Sequence, residues 1–361
     1  MCKMKKRIGI LTSGGDCPGL NACIRGVARA SYERFGDDVE IYGIVGGYTG
    51  LINGEYKLMN RSDFSGILTQ GGTILGTSRQ PYKKIQVIGD DNVDKVKNMI
   101  DNYKKMKLDC LCTLGGNGTH KTANLLSQNG LNVIGLPKTI DNDIYGTEHT
   151  FGYQTAVDIG TDVIDRLHTT AASHSRAMVV EIMGNKVGWL ALSCGIAGGA
   201  DAIILPEMPF DYDEIAKTVM RRAKNGHVFS IIVVAEGAYS TNEAKLKRKE
   251  RIAARGGAAT PTAQIVKYIQ ENTGIETRSA VPGHYLRGGT PCAYDRVLAS
   301  KLGTYAAMLI DKGIYGVTVA EKGGVISHNN LSDIAGVSKP VPTDDQLIKT
   351  AKSLGISFCC R

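Results

Sequence analysis

The stretch RIGILTSGGDCPGLN, residues 7 to 21, runs from a short apolar segment into paired glycines and then into a helix that begins near Leu20. A buried parallel strand reads as a short continuous apolar run, so strand, glycine loop and helix together are the opening unit of an α/β sheet. Outward from this stretch the same punctuation recurs. Apolar runs at 41–45, 110–114, 133–136, 177–182, 202–206 and 230–235 alternate with helical stretches at 20–35, 92–105, 119–129, 154–170 and 211–225. The 44 glycines fall repeatedly in pairs at the ends of apolar runs, which marks strand-to-loop boundaries. The expected class is α/β, with mainly parallel sheets covered on both faces and ligands bound in the loops beyond the carboxyl ends of the strands.

At 361 residues and 42% hydrophobic content the chain can bury a large core, and its length suggests two domains. No apolar run approaches the roughly eighteen residues of a membrane span, and MCKMKKRIGILTSGG reads as a first strand and not a signal peptide. Nine cysteines, Cys2 among them, are scattered without paired CxxC spacing, which suits a reducing compartment and not a zinc site. The net charge of +8 favours anionic partners. Aromatic residues at 6% and a single Trp argue against nucleic acid and for phosphorylated small molecules. The basic segment YSTNEAKLKRKERIAARGGAAT, 239–260, reads as an exposed helical insertion or mobile loop, either a solvated face or a phosphate contact.

Three strand-end loops have residues suited to phosphate chemistry. In TSGGDCPGLN, 12–21, glycines let backbone N–H groups approach an anion at a helix amino terminus, although a simple turn reads the same way and the P-loop signature is absent. In LGGNGTHKTA, 114–123, Asn117 and Thr119 can face phosphate or metal. In LPKTIDNDIYGT, 136–147, Lys138, Thr139, Asp141 and Asp143 are packed closely; acids two apart in an extended segment point the same way. Phosphoryl transfer to a hydroxyl needs a base and a cation for the moving charge, roles open to Asp141, Mg²⁺ and Lys138. Later, Arg278, His284 and Arg287 form a set suited to a phosphate monoester, because guanidinium groups bind it bidentately.

The ordered segments IGILTSGGDCPGLNACIRG, GGTILGTSR, LGGNGTHKTA, LPKTIDNDI, SHSRAMVVEIMG and PGHYLRGGTPCAYDR resemble the 6-phosphofructokinase family from residue 7 to about 303. The resemblance implies two similar Rossmann-like three-layer lobes with mainly parallel sheets and the active site in the cleft between them. It implies a donor-binding lobe of 1–152 plus 288–338 and a sugar-phosphate lobe of 153–287 plus 339–361 that carries the 239–260 insertion. The implied reaction, a step of glycolysis, moves the γ-phosphoryl of ATP to the 1-hydroxyl of fructose 6-phosphate with Mg²⁺, in the cytoplasm.

By the same resemblance Gly15 approaches the donor phosphates, with Gly116, Asn117, Gly118 and Thr119 in the donor loop and Asn117 at the metal. Arg79 bridges the donor and acceptor phosphates, Thr139 touches the transferred group, Asp141 is the general base and Asp143 its neighbour. Met183, Gly184 and Glu236 hold the sugar, while His284 and Arg287 bind its 6-phosphate. Arg176 and Arg278 are lent across a subunit interface, which implies a dimer at least and a tetramer by default. Arg25, Arg29 and Asp201 match a nucleotide effector site, with His168 where arginine is common, and regulation is expected to be weakened or altered.

The chain also departs from the family pattern. Asn117 stands where many members have an acid, and Asn185 where many have Arg. Gly118 leaves room for a nucleotide, whereas Lys138 is the residue of pyrophosphate users, so a pyrophosphate donor is the alternative. A non-catalytic nucleotide-binding homologue is a third reading.

Overall fold

The computed structural model describes residues 5–87 and 93–360. Cys2 and the start of the helix expected at 92–105 lie outside them. Among the described residues the strands are β1 Lys6–Thr12, β2 Val39–Ile44, β3 Tyr56–Met59, β4 Cys110–Gly115, β5 Val133–Pro137, β6 Ala177–Ile182, β7 Ala202–Ile204, β8 Ser230–Ala235, β9 Thr277–Ala280, β10 Val317–Lys322 and β11 Val325–Asn330. The chain divides into two compact units, residues as far as Thr155 with Arg287–Lys339, and Ala156–Leu286 with Pro340 onward.

The first unit holds a seven-stranded sheet in the order β11-β10-β5-β4-β1-β2-β3. Its central strands are parallel, and the antiparallel partners β3 and β11 lie at the two edges. One face packs Leu11, Ile44 and Leu111 against Leu51, Met99 and Leu126 from helices Tyr48–Asn53, Lys95–Lys105 and Asn117–Gln128. Helices Leu20–Phe35 and Ala293–Asp311 pack closely against each other. A Cβ at Gly303 would stand 2.6 Å from the Cys23 carbonyl oxygen, and one at Gly26 3.1 Å from that of Ser300, so each glycine admits the other helix's backbone.

The second unit holds a four-stranded, wholly parallel sheet, β7-β8-β6-β9. Val179, Ile204, Ile232 and Val234 are buried against Ile215, Val219, Ile265 and Ile269 of helices Tyr212–Lys224 and Thr262–Thr273. Both units are therefore α/β with mainly parallel sheets, and all seven apolar runs form strands.

Sequence reading did not anticipate β3, β9, the β10–β11 hairpin or several helices, among them Trp189–Ala197, Thr262–Thr273 and Ala293–Asp311. The insertion is ordered and anchored, not a loose loop. It forms a turn at Thr241–Glu243 and a short helix Arg248–Ala254, and the nearly buried guanidinium of Arg255 pairs with Glu243 at 2.6 Å.

Candidate active site

In the first unit, three loops follow the adjacent strands β1, β4 and β5 and are tied into one body. Ser13 N–H donates to the Leu114 carbonyl (2.9 Å), Thr119 Oγ1 to the Ser13 carbonyl (3.4 Å), and Lys138 N–H to the Gly115 carbonyl (3.1 Å). Gly14, at φ +85°, turns the first loop. The 71–79 segment is held against it by Asn21, whose Oδ1 accepts Ile74 N–H at 2.9 Å, and by Gly14 N–H donating to the Ser78 carbonyl at 3.0 Å.

That fastening brings Arg79 to Gly15. A Cβ at Gly15 would lie 3.3 Å from Arg79 Nη2 and 2.7 Å from Arg287 Nη1, and Lys138 Nζ donates to the Gly15 carbonyl. Arg287 also donates to the Asp16 carbonyl at 3.1 Å. Three cations thus stand around one half-buried glycine loop, an arrangement suited to a polyanion. Burial pushes the Lys138 ammonium below the usual lysine range, and neighbouring Arg287 pushes the same way while Asp141 opposes it. Arg287, expected from the resemblance beside His284, has its guanidinium at this loop; His284 is exposed and belongs to the second unit.

The β5 loop does not run extended through its acids, as the sequence reading assumed. Asn142 takes φ +51°, its Oδ1 accepts Thr150 N–H at 3.1 Å, and its Nδ2 donates to the Glu148 carbonyl. The left-handed turn is one that Asn tolerates. Thr139 Oγ1 accepts Asp141 N–H at 3.0 Å, which leaves the hydroxyl hydrogen to donate elsewhere. Asp141 is 8% exposed, with the Lys138 ammonium as an electrostatic neighbour. Asp143 is raised above the usual carboxylate range by burial, an effect that the amide of Asn117 opposes by donating to Oδ2 at 3.1 Å.

Asn117 opens helix Asn117–Gln128, and its Oδ1 is buried with no hydrogen-bond partner. A Cβ at Gly118 would meet nothing within 4 Å. Beneath the loop His120 is fully buried, bonded to the Gly116 carbonyl (3.0 Å) and Thr318 Oγ1 (2.9 Å).

In the second unit, Met183, Gly184 and Glu236 meet at the carboxyl ends of β6 and β8. Glu236 Oε1 accepts the N–H groups of Gly184 (3.2 Å) and Asn185 (2.6 Å). Arg176 and Arg278 lie at the opposite end of that sheet, both paired with Glu276 at 3.0 and 2.6 Å. Within one chain the structure does not bring these arginines to Glu236. Of the expected effector residues, Arg25 and Arg29 are neighbours on helix Leu20–Phe35, and Arg25 is lowered by burial and then by Arg29. Asp201 instead pairs with Arg222 at 2.7 Å and accepts Ile231 N–H, while His168 bonds the Gly198 carbonyl.

Sequence reasoning missed Lys339, whose Nζ donates to the carbonyls of Thr147 (2.9 Å) and Glu148 (2.8 Å) and whose N–H donates to that of Asp143. It also missed Asn142 and Thr150, which close the same loop. A lysine some 190 residues downstream carries no local signal; the Asn flanked by two Asp did carry one, as a turn former. Glu148, His149 and Glu321 cluster nearby, but Glu148 accepts the N–H groups of Gly323 and Gly324, and Glu321 pairs with His149 at 2.8 Å.

Fold and site together define an α/β protein that gathers cationic side chains on a glycine loop at the carboxyl ends of parallel strands. The Phosphofructokinase family profile matches residues 7–310, and the chain belongs to that family. It is 53% identical over 358 residues to an ATP-dependent 6-phosphofructokinase of Spirochaeta thermophila, covering 98% of this chain and 97% of that one. It is 46% identical over 378 residues to the enzyme of that name from Propionibacterium freudenreichii, covering 98% and 100%. Among solved structures it resembles Pichia pastoris phosphofructokinase in the T-state, with TM-score 0.81 and 30% identity, over 97% of this chain but 36% of that one. A pyrophosphate-dependent phosphofructokinase of Marinobacter aquaeolei, 21% identical with TM-score 0.79 over 98% and 88%, shares the fold.

Proposed function

We propose that the protein transfers the γ-phosphoryl group of ATP to the 1-hydroxyl of fructose 6-phosphate, giving fructose 1,6-bisphosphate and ADP. The observation that carries this reading is the convergence of Arg79, Arg287 and Lys138 on the Gly15 loop, with Asp141 on the next loop but one. Backbone N–H groups and three cations hold the donor phosphates, so the charge that develops on the departing chain meets fixed positive groups. Thr139 donates its hydroxyl hydrogen to the moving group, and Asp141 accepts the proton of the sugar hydroxyl. Gly184 and Glu236, with Met183, hold the sugar.

Mg²⁺ suits Asn117, because its buried carbonyl oxygen lacks a partner and is the hard donor that this ion prefers. When bound with the donor the ion would neutralise phosphate oxygens. ATP is favoured over pyrophosphate by the open space at Gly118, where a side chain would project unhindered and crowd the nucleotide. A cytoplasmic location accords with eight free cysteines among the described residues, and no described helix is long and apolar enough to cross a membrane. Since Arg176 and Arg278 are tied to Glu276, away from Glu236, they are read as completing the site of a second subunit, in a dimer at least and by default a tetramer.

Asp141→Asn preserves shape and removes the base. In a coupled assay with MgATP it is expected to lower kcat by about 10³-fold or more with unchanged ATP binding. A loss below about tenfold would remove Asp141 from the role assigned here.

A further inference from the structure

Lys339, the last residue of the first unit, is joined to both limbs of the β5 loop. Its N–H donates to the Asp143 carbonyl at 2.9 Å on the outgoing limb, where the preceding Ser338 forms an antiparallel bridge with Ile144. Its ammonium reaches the returning limb and donates to the carbonyls of Thr147 (2.9 Å) and Glu148 (2.8 Å). The residue is thus a cross-link within one loop. Burial lowers the ammonium to about 8, against the opposing pull of Asp143 and then Glu148. At pH 7 it is therefore charged, and it is held largely out of water, where bonds to carbonyl dipoles are strengthened.

The returning limb carries the residues on either side of Asp141. The Glu148 carbonyl also accepts Asn142 Nδ2 at 3.2 Å, Asn142 Oδ1 takes the Thr150 N–H at 3.1 Å, and the Thr150 hydroxyl donates to the Thr139 carbonyl at 2.8 Å. That limb stays docked on β10 by other means. Glu148 N–H donates to the Glu321 carbonyl (2.9 Å), Thr147 Oγ1 accepts the Glu321 N–H (3.0 Å), and the Glu148 carboxylate accepts the N–H groups of Gly323 (2.7 Å) and Gly324 (3.2 Å). What the Lys339 side chain sets is the spacing of the two limbs, with Asp141 two residues before its Asp143 anchor. We propose that Lys339 is a positioning residue for the phosphoryl transfer, which by fixing this spacing holds the Asp141 carboxylate in the place from which it takes the hydroxyl proton. The inference rests on Asp141 acting as the base, as under the proposed function.

Steady-state rates of the full chain with MgATP and fructose 6-phosphate at pH 7 test this. Lys339→Met keeps the length of the side chain and is expected to lower kcat at least about tenfold, with KM for each substrate within about threefold of the wild type. In an Asp141→Asn background the same substitution is expected to cost less than about twofold more, because the group it positions is already gone. Lys339→Arg, which returns a cation with N–H donors, is expected to recover at least about threefold of the lost kcat. Lys339→Gln, a neutral donor, carries the same comparison where the Met variant does not fold, and the same loss is expected of it. An undiminished kcat, an equal loss in both backgrounds, or a loss confined to KM overturns the positioning role and leaves the proposed function standing. A wild type that does not turn over with MgATP overturns both.

Discussion

A methyl group at Gly15 would stand 2.7 Å from Nη1 of Arg287 and 3.1 Å from its Cζ, and the atoms it meets belong to flexible side chains, not to backbone. Gly15→Ala should therefore cost little stability, within about 1 kcal/mol by equilibrium unfolding, because the guanidinium can swing away. The swing removes a cation from the donor loop, so kcat/KM for MgATP is expected to fall at least about tenfold. His120 answers to different physics. Burial holds it to about 4 against the usual 6.5, with the Gly116 carbonyl opposing and Lys138 adding to the effect. The folded state keeps it neutral while the unfolded chain takes up a proton near 6.5. Its stability contribution is thus complete above that pH and is lost as pH falls toward 4, by roughly 3–4 kcal/mol at full extent. Denaturant unfolding from pH 7 to 4.5 should show that slope in the wild type and a shallower one in His120→Gln. At this scale the sequence pointed to the loop residues because glycines, acids and a lysine cluster after apolar runs. Lys339 and Asn21 act through contacts distant in sequence, and nothing local announced them.

Between elements, the closest packing is that of helices Leu20–Phe35 and Ala293–Asp311. A Cβ at Gly303 would sit 2.6 Å from the Cys23 carbonyl oxygen and 2.8 Å from Val27 N, both backbone atoms. Gly303→Ala gains up to about 1 kcal/mol of helix propensity, yet overpacking against backbone costs about 1–3 kcal/mol, so the helices must part. A net loss of about 1–2 kcal/mol is expected from denaturant melts, whereas a neutral or stabilised variant would show that the two helices can separate freely. The strands that were legible, β1, β2, β4 to β8, are largely buried and carry short apolar runs, whereas β10, VTVAEK, is as buried but has its run broken by Thr318 and Glu321. Exposed β3, with three of its four residues at the surface, lacks that signature. The β10–β11 hairpin did carry a signal in Gly323-Gly324, both at positive φ as a type I′ hairpin turn requires, between the paired residues Lys322 and Val325. Trp189–Ala197 is apolar all round, and periodicity cannot tell such a segment from a buried strand.

For the molecule as a whole, the net charge of +8 and the cations gathered on the first unit's loops suit two highly anionic substrates. Each unit carries its own set of groups: glycine loops, cations and Asp141 in the first, and in the second Glu236, which accepts the N–H groups of Gly184 and Asn185. The α/β class was readable from alternating runs, and family membership from ordered motifs spread over most of the chain. The inequality of the two sheets, seven strands against four, was not, because edge strands and short strands leave the weakest patterns. The donor is the point on which Gly118 and Lys138 pull in opposite directions. Initial rates of fructose 1,6-bisphosphate formation from fructose 6-phosphate, with MgATP and separately with Mg-pyrophosphate, bear on it directly. Rapid turnover with MgATP and little with pyrophosphate is the expected result; turnover with pyrophosphate alone, or with neither donor, would contradict the account.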